Sequence, residues 1–487
     1  MKGSGSLEGR RERWGRTNVE HKQMGDQLLA LTGFRGNRLK AHWLRSNGDV
    51  EEENLRWDGS RFPSLSPHLP EIAWDEREIH DLFGYVPDGH PDLRPLVRTP
   101  RWPATFFPLR NATGEHPHWH GTEPDNPSRT VEGEGVTVMK VGPTHAGIIE
   151  SGHFVFSIMG ENVLYLDAHL FQNHRGVEKA MVSRSLHEVP QLVSRICGAD
   201  TVSHQVNFVS AVEQLAGREA PEVVQWQRVI LLESERILSH LNDLAQIPAG
   251  VGFQVANQRG LAMKEKWQRG LVHVFGHRFL FDTVRFGEVA IRDIDSLLPL
   301  VQSLEQDWSR WRRLVDSHHG FHERMRGVGT VRRDDAIRLG AVGVVLRATG
   351  VRLDGRSLMP LYRHVPMEVA KVDGGDVEAR FQVRLLEVES SIRIIQDALT
   401  HIPVEQSLYS WLPPDDLTGD VVSYSESPHG LNVHVIQLEN GCIERYHVRS
   451  GAFRNWPVLA SVVAGNAVAD FPLINKSFEL CYSCTDR

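Results

Sequence analysis

Three of the chain's four cysteines fall in two short stretches far apart in sequence, Cys197-Gly198-Ala199-Asp200 and Cys481-Tyr482-Ser483-Cys484. Two sulfurs in Cys-x-x-Cys spacing converge on one soft metal, and a second loop of the same spacing completes a tetrathiolate site. Here the second loop offers Cys197 and, three residues on, the carboxylate of Asp200. If these groups meet, everything between them is folded to bring the last residues back to the Cys197 loop. The plainer alternatives are two ordinary cysteines at a frayed terminus and, for Cys197, a buried apolar residue.

At 487 residues the chain exceeds what one core usually holds, so two or more domains are expected. A net charge of −8 argues against a nucleic-acid surface. No apolar run approaches the roughly twenty residues that cross a bilayer, so no direct membrane span is expected. Met1 to Arg16 is rich in Gly, Ser and Arg without an apolar core, neither a signal peptide nor an anchor, and residues 1–19 are expected to be flexible. Few cysteines, placed like metal ligands, fit a reducing cytoplasm.

Residues 20–110 mix short apolar runs with turns and read as a small α+β domain. Within it, Trp74-Asp75-Glu76-Arg77-Glu78-Ile79-His80-Asp81-Leu82-Phe83-Gly84 is a charged helix stopped by glycine, followed by Gly89-His90-Pro91-Asp92-Leu93-Arg94. Residues 111–134 have the composition of a linker, and His116, His118 and His120 read as part of a solvated loop. The second domain, 135–487, opens with alternation over 153–158 and 162–166, a hairpin turning at Gly160-Glu161. Helical periodicity runs from Pro221 to Ile247, where Pro248-Ala249-Gly250 should stop it; further helices are expected over 258–281, 292–323 and 376–400. The fold class is α+β: a small α+β front, then a mainly helical domain with β-hairpins at its ends.

The Trp74–Arg94 stretch resembles the signature of the 30 kDa subunit of respiratory complex I and its hydrogenase relatives. The second domain resembles the large subunit of formate hydrogenlyase-type, membrane-bound [NiFe] hydrogenases and its homologue, the 49 kDa subunit of complex I. The matching stretches are Gly142-Pro143-Thr144-His145, Asn173 to Lys179, Ser194 to Gly198, Glu233 to Leu241, Arg338 to Gly350, Gly375 to Arg384, Glu426-Ser427-Pro428-His429-Gly430 and Cys481 to Arg487. The resemblance implies a Ni-Fe centre held by Cys197, Cys481 and Cys484 with Asp200 at the fourth, bridging position, and Glu178 beside it passing protons. It implies a small iron-sulfur partner subunit carrying [4Fe-4S] clusters, and antiporter-like and other membrane subunits. These would hold the protein on the cytoplasmic inner face of the membrane.

Two residues depart from the hydrogenase pattern. Asp200 stands where a bridging cysteine is usual, a harder ligand than a thiolate, and His429 stands where an arginine hangs over the metals. The quinone-binding positions of the complex I homologue hold Ile149 and Gly198, neither of which offers a side-chain hydrogen bond. The ending Thr485-Asp486-Arg487 resembles both a processed hydrogenase and the natural end of the complex I subunit. The resulting expectation is a catalytic-type subunit interconverting protons, electrons and H2, against the alternative of a coupling subunit that has lost the metals. His240 reads as a satisfied core histidine, and Arg347, Asp354, Arg380 and Arg384 as buried ion pairs.

Overall fold

The structure, a computed structural model, describes residues 7–99, 102–110, 127–144, 150–402 and 411–487. Its first element corrects an expectation: the stretch 1–19, read as flexible, is helical from Leu7 on, and α1 spans Leu7–Gln23. Trp14 is buried, and buried Asn18 accepts the Trp43 indole N–H at 2.8 Å. Docking of those two side chains stabilises a helix too charged to stand alone.

α1 lies on an antiparallel sheet of β1 (Gln27–Phe34), β2 (Arg38–Leu44) and β3 (Val50–Arg56). β4 (Arg61–Pro63) pairs in parallel with β5 (Val86–Asp88), and the connection between them carries α2 (Ala73–Phe83). α2 ends at Gly84, whose φ of 71° is a left-handed conformation that glycine adopts without strain. Asp81 of α2 accepts the backbone N–H groups of Leu96, Val97 and Arg98, and Arg77 donates to the carbonyls of Arg94 and Pro95. The charged signature therefore folds its own following segment around the helix.

Residues 111–126 of the expected linker, with His116, His118 and His120, lie outside the described residues, as do His145 and Ile149. The rest of the linker is tied down: the N–H of Arg129 donates to Asp167 at 2.7 Å and that of Val131 to Ser157 at 3.0 Å.

β6 (Val136–Val141), β7 (His153–Met159) and β8 (Asn162–His169) form a sheet, with the expected turn at Gly160-Glu161. Short α3 (Val177–Met181) and α4 (Val189–Val193) precede α5 (Thr201–Leu215), α6 (Glu222–Gly250) and α7 (Gln254–Phe275). α6 runs past its expected stop because Pro248 falls in the last turn, where it forfeits a single backbone bond. The small hairpin of β9 (Val284–Arg285) and β10 (Glu288–Val289) follows. The single helix expected over 292–323 is instead two, α8 (Leu297–Asp316) and α9 (His319–Met325), because the His318 ring caps a new start by accepting the Phe321 N–H. Then come α10 (Arg333–Arg338), α11 (Gly343–Arg347) and α12 (Val377–His401). A second sheet of β11 (Gly419–Ser427), β12 (Gly430–Glu439) and β13 (Cys442–Arg449) leads to α13 (Gly451–Val463), α14 (Phe471–Phe478) and α15 (Tyr482–Asp486). The class is the α+β arrangement read from sequence, with the terminal hairpins enlarged to three-stranded sheets.

Charges are buried where α6 and α12 pack together. Glu387 accepts from Arg347 at 2.9 Å, Arg236 at 3.2 Å and the His240 ring at 2.8 Å. Arg347 also reaches Glu426, and Arg356 joins Asp354 to Glu233. The expected ion pairs of Arg347, Asp354 and Arg384 are present, Arg384 meeting Asp243 at 2.9 Å. Arg380 differs: it donates to the Gly329 and Gly375 carbonyls and the Ser477 hydroxyl rather than to a carboxylate, and burial depresses its pKa to about 9.

The front and second blocks share their interior. Leu29, Ala30, Phe34 and Leu44 pack against Val342, Leu431, Val433 and Val435.

Candidate metal centre

Cys481 is the N-cap of α15, and its sulfur accepts the Cys484 N–H at 3.4 Å; the Cys197 sulfur likewise accepts the Ala199 N–H at 3.2 Å. In each loop the backbone turns back so that an N–H two or three residues on points at the first sulfur. The two loops meet with Cys197 Sγ and Cys481 Sγ 3.1 Å apart, and the sulfurs of Cys197, Cys481 and Cys484 all lie within 4.8 Å of one another. Bonds from Cys197 and Cys484 hold Cys481 well below the usual thiol range, while burial pushes Cys197 and Cys484 above it. One thiolate and two thiols make a donor set that releases protons when it takes a soft cation.

Asp200 is the N-cap of α5, yet its side chain makes no capping bond. Glu235 of α6 does that work instead, accepting the N–H groups of Val202 at 2.6 Å and Ser203 at 3.1 Å. This borrowed cap frees the Asp200 carboxylate to face the thiols: Oδ2 accepts from Cys484 at 3.4 Å, and Oδ1 pairs with His429 Nδ1 at 2.8 Å. Burial opposes the charge on both partners, but the pair overrides it, pushing His429 up to about 10 and Asp200 below its usual value. Among the described residues no cation is bonded to Glu235, and burial with Asp200 nearby raises its pKa well above the ordinary carboxyl range.

His429 rides the two-residue turn between β11 and β12. That turn is pressed onto α11: a Cβ on Gly343 would sit 2.6 Å from Gly430 Cα, so the close approach that seats His429 needs glycine on both sides. Behind Cys484, the His204 ring lies 3.7 Å from its sulfur, and a buried chain continues from His204 to His434 at 2.9 Å and Tyr446 at 2.8 Å. Burial lowers His204 to about 4, so this chain is neutral.

The structure therefore brings together Cys197, Cys481, Cys484, Asp200 and His429. Glu178, read from the sequence as passing protons, has a specific set of partners. That carboxylate is buried among Arg445 at 2.7 Å, Arg487 at 2.8 Å, the His447 ring at 3.3 Å and the Val448 N–H at 3.0 Å. Burial alone would raise its pKa, but the neighbouring cations hold it well below the usual range. Sequence reasoning missed His204, Glu235 and the His434–Tyr446 continuation. A signal existed for His204, one helical turn after Asp200 on the same face.

The donor set fits a thiophilic metal at three corners. Only Oδ2 of Asp200 is directed at the fourth, because Oδ1 is engaged by His429.

Residues 251–414 match the family model of the respiratory-chain NADH dehydrogenase 49 Kd subunit, and residues 39–116 that of the 30 Kd subunit. The chain is 32% identical to formate hydrogenlyase subunit 5 of Escherichia coli, over 88% of this chain and 77% of that protein. It is also 32% identical to hydrogenase-4 component G of the same organism, over 88% and 76%. Its fold is similar to a chain in the solved membrane-bound sulfane sulfur reductase, an archaeal respiratory membrane complex, with a TM-score of 0.66 and 24% identity, covering 73% of this chain and 99% of that one.

Proposed function

Since the chain belongs to the formate hydrogenlyase-type family of complex I-related hydrogenase large subunits, with a 30 kDa-like domain fused ahead of a 49 kDa-like one, we propose that it is the metal-bearing subunit of a membrane-bound redox complex. The observation that carries this reading is the convergence of Cys197, Cys481 and Cys484 within 4.8 Å. A metal bound there would be held by Cys197, Cys481 and Cys484 as thiolates, with the Asp200 carboxylate completing the set.

A nickel–iron centre bound there supplies redox-active metal for interconverting protons, electrons and dihydrogen. The chain's own residues supply proton handling and exclusion of water. Asp200 and Cys484 are both 0% exposed, so water is kept from that side of the site. His429 keeps Asp200 ionised, and the proton that Cys484 gives up on ligation has an acceptor at hand in the His204 ring at 3.7 Å. Glu178 is assigned to holding the terminal loop rather than to moving protons.

Cys481 is the partly exposed thiol, and the face it opens on is where a small iron-sulfur subunit bearing [4Fe-4S] clusters docks. No described helix is long and apolar enough to cross a membrane, so attachment to the cytoplasmic face runs through antiporter-like partner subunits. The test is the complex purified anaerobically from nickel-replete cells. Stoichiometric nickel with infrared bands of iron-bound carbonyl and cyanide supports the hydrogenase reading; their absence sinks it.

A second reading is a coupling subunit without hydrogenase chemistry, acting between an electron donor and an ion-translocating arm. The Asp200–His429 ion pair favours it, because a harder ligand already neutralised by an imidazolium replaces a soft bridge.

A further inference from the structure

The groups that hold the terminal thiol loop come partly from the front of the chain. Arg487 is 2% exposed, and its guanidinium is clamped between Glu78 of α2, at 2.6 Å, and Glu178, at 2.8 Å. The carboxylate of Asp486 accepts the N–H groups of Phe171 at 2.9 Å and Asn173 at 3.0 Å, and the Arg487 carbonyl accepts those of Arg175 and Gly176. Glu178 is shared with Arg445 and Glu78 with Arg449, so neither carboxylate has spare capacity if the other is lost. Arg487 follows directly on α15, the single short turn that carries Cys484, so a shift of one is a shift of the other.

We infer that Glu78 is a positioning residue for the metal-thiolate loop: acting through Arg487, it sets where Cys481 and Cys484 stand against Cys197 and Asp200. The front domain is then part of the metal centre's scaffold. This rests on the metal-centre reading above, although half of its test does not. The competing explanation is that Glu78 merely docks the two blocks, as Arg94 does through its 2.6 Å bond to Asp167, remote from the loop in the bonding pattern.

The full-length chain is compared as wild type, Glu78→Gln, Glu78→Asp, Arg487→Met, the Glu78→Gln/Arg487→Met double variant and Arg94→Met. Cobalt(II) binding is read from thiolate-to-cobalt absorbance, and iodoacetamide labelling of Cys484 is read against Cys442. Glu78→Gln and Arg487→Met should each weaken cobalt binding about tenfold and speed Cys484 labelling about tenfold. The double variant should match the single ones, Glu78→Asp should recover most of the effect, and Arg94→Met should stay within about twofold of wild type. Unchanged labelling in Glu78→Gln, additive effects in the double variant, or an equal effect from Arg94→Met overturns the inference. Should Glu78→Gln fail to fold, Glu78→Asp with Arg487→Met decides it by the same labelling ratio. A wild-type chain that takes no cobalt refutes the metal reading, while labelling still decides the positioning role.

Discussion

Around Glu387, the carboxylates of Glu233, Asp354, Glu387 and Glu426 meet Arg236, Arg347, Arg356 and His240; around Asp200, three thiols and one carboxylate meet a single imidazolium. The first is fully buried and draws Glu233, Arg236, His240 and Glu387 from long helices, whereas the second is assembled from loops, a β-turn and one short helical turn, with Cys481 partly exposed. In the first, every charge finds an opposite one, so the cluster is closed and contributes a fixed arrangement of α6, α11 and α12. In the second, soft donors outnumber their partners, and two of the thiols still carry protons to lose. Burial of polar groups alone does not mark a reactive site; a surplus of unneutralised donors does.

The largest test of that contrast is Glu387→Ala. It takes from Arg236, Arg347 and His240 the carboxylate they share in the interior and should cost about 3–5 kcal/mol in urea denaturation, the penalty for breaking a buried charge network. A loss below about 1 kcal/mol breaks the claim that the cluster is closed and structural.

Glu76 sharpens the comparison as a buried carboxyl whose hydrogen bonds come from the hydroxyls of Ser64 and Ser66 at 2.5 Å and the Leu65 N–H at 2.6 Å, with the buried His90 ring at 3.8 Å. Burial pushes it up to about 7. The unfolded chain titrates near 4.3, so between about 4.3 and 7 the folded state binds the extra proton and stability falls as pH rises, by about 4 kcal/mol in total. Glu76→Gln should flatten that slope between pH 5 and pH 8; an unchanged slope contradicts the assignment.

Cys484→Ser addresses the open cluster. It should lower cobalt affinity at least about tenfold while changing folding stability by no more than about 1 kcal/mol, since the pocket is not what holds the helices together. The smallest effect belongs to Glu235→Gln, which removes half of a borrowed helix cap and should cost about 1 kcal/mol. Faster hydrogen exchange at Val202 and Ser203 would show the fraying of α5; unchanged exchange would return the capping role to Asp200.

Much of this was legible in the sequence because it is local. The periodicity of α6, the turn at Gly160-Glu161 and the Cys-x-x-Cys spacing need only neighbouring residues. What was not legible depends on partners far away. Glu178 looked free to move protons until Arg445, His447 and Arg487 closed around it, and the charged start of the chain looked disordered until Trp43 gave Asn18 a partner. The sequence places Asp200 in the same loop as Cys197, but the reason its carboxylate is available, a cap supplied by Glu235 from another helix, has no signature in that loop itself.

The central claim is that the terminal cysteine pair, Cys197 and Asp200 hold one metal centre, and X-ray absorption on the anaerobically purified complex tests it most directly. The account predicts a sulfur shell at about 2.3 Å populated by Cys197, Cys481 and Cys484, with a light-atom shell near 2.0–2.2 Å from Asp200, and loss of sulfur scatterers in Cys484→Ser. Bound metal with light-atom ligands alone, or no metal above the level of the Cys484→Ser protein, would contradict it.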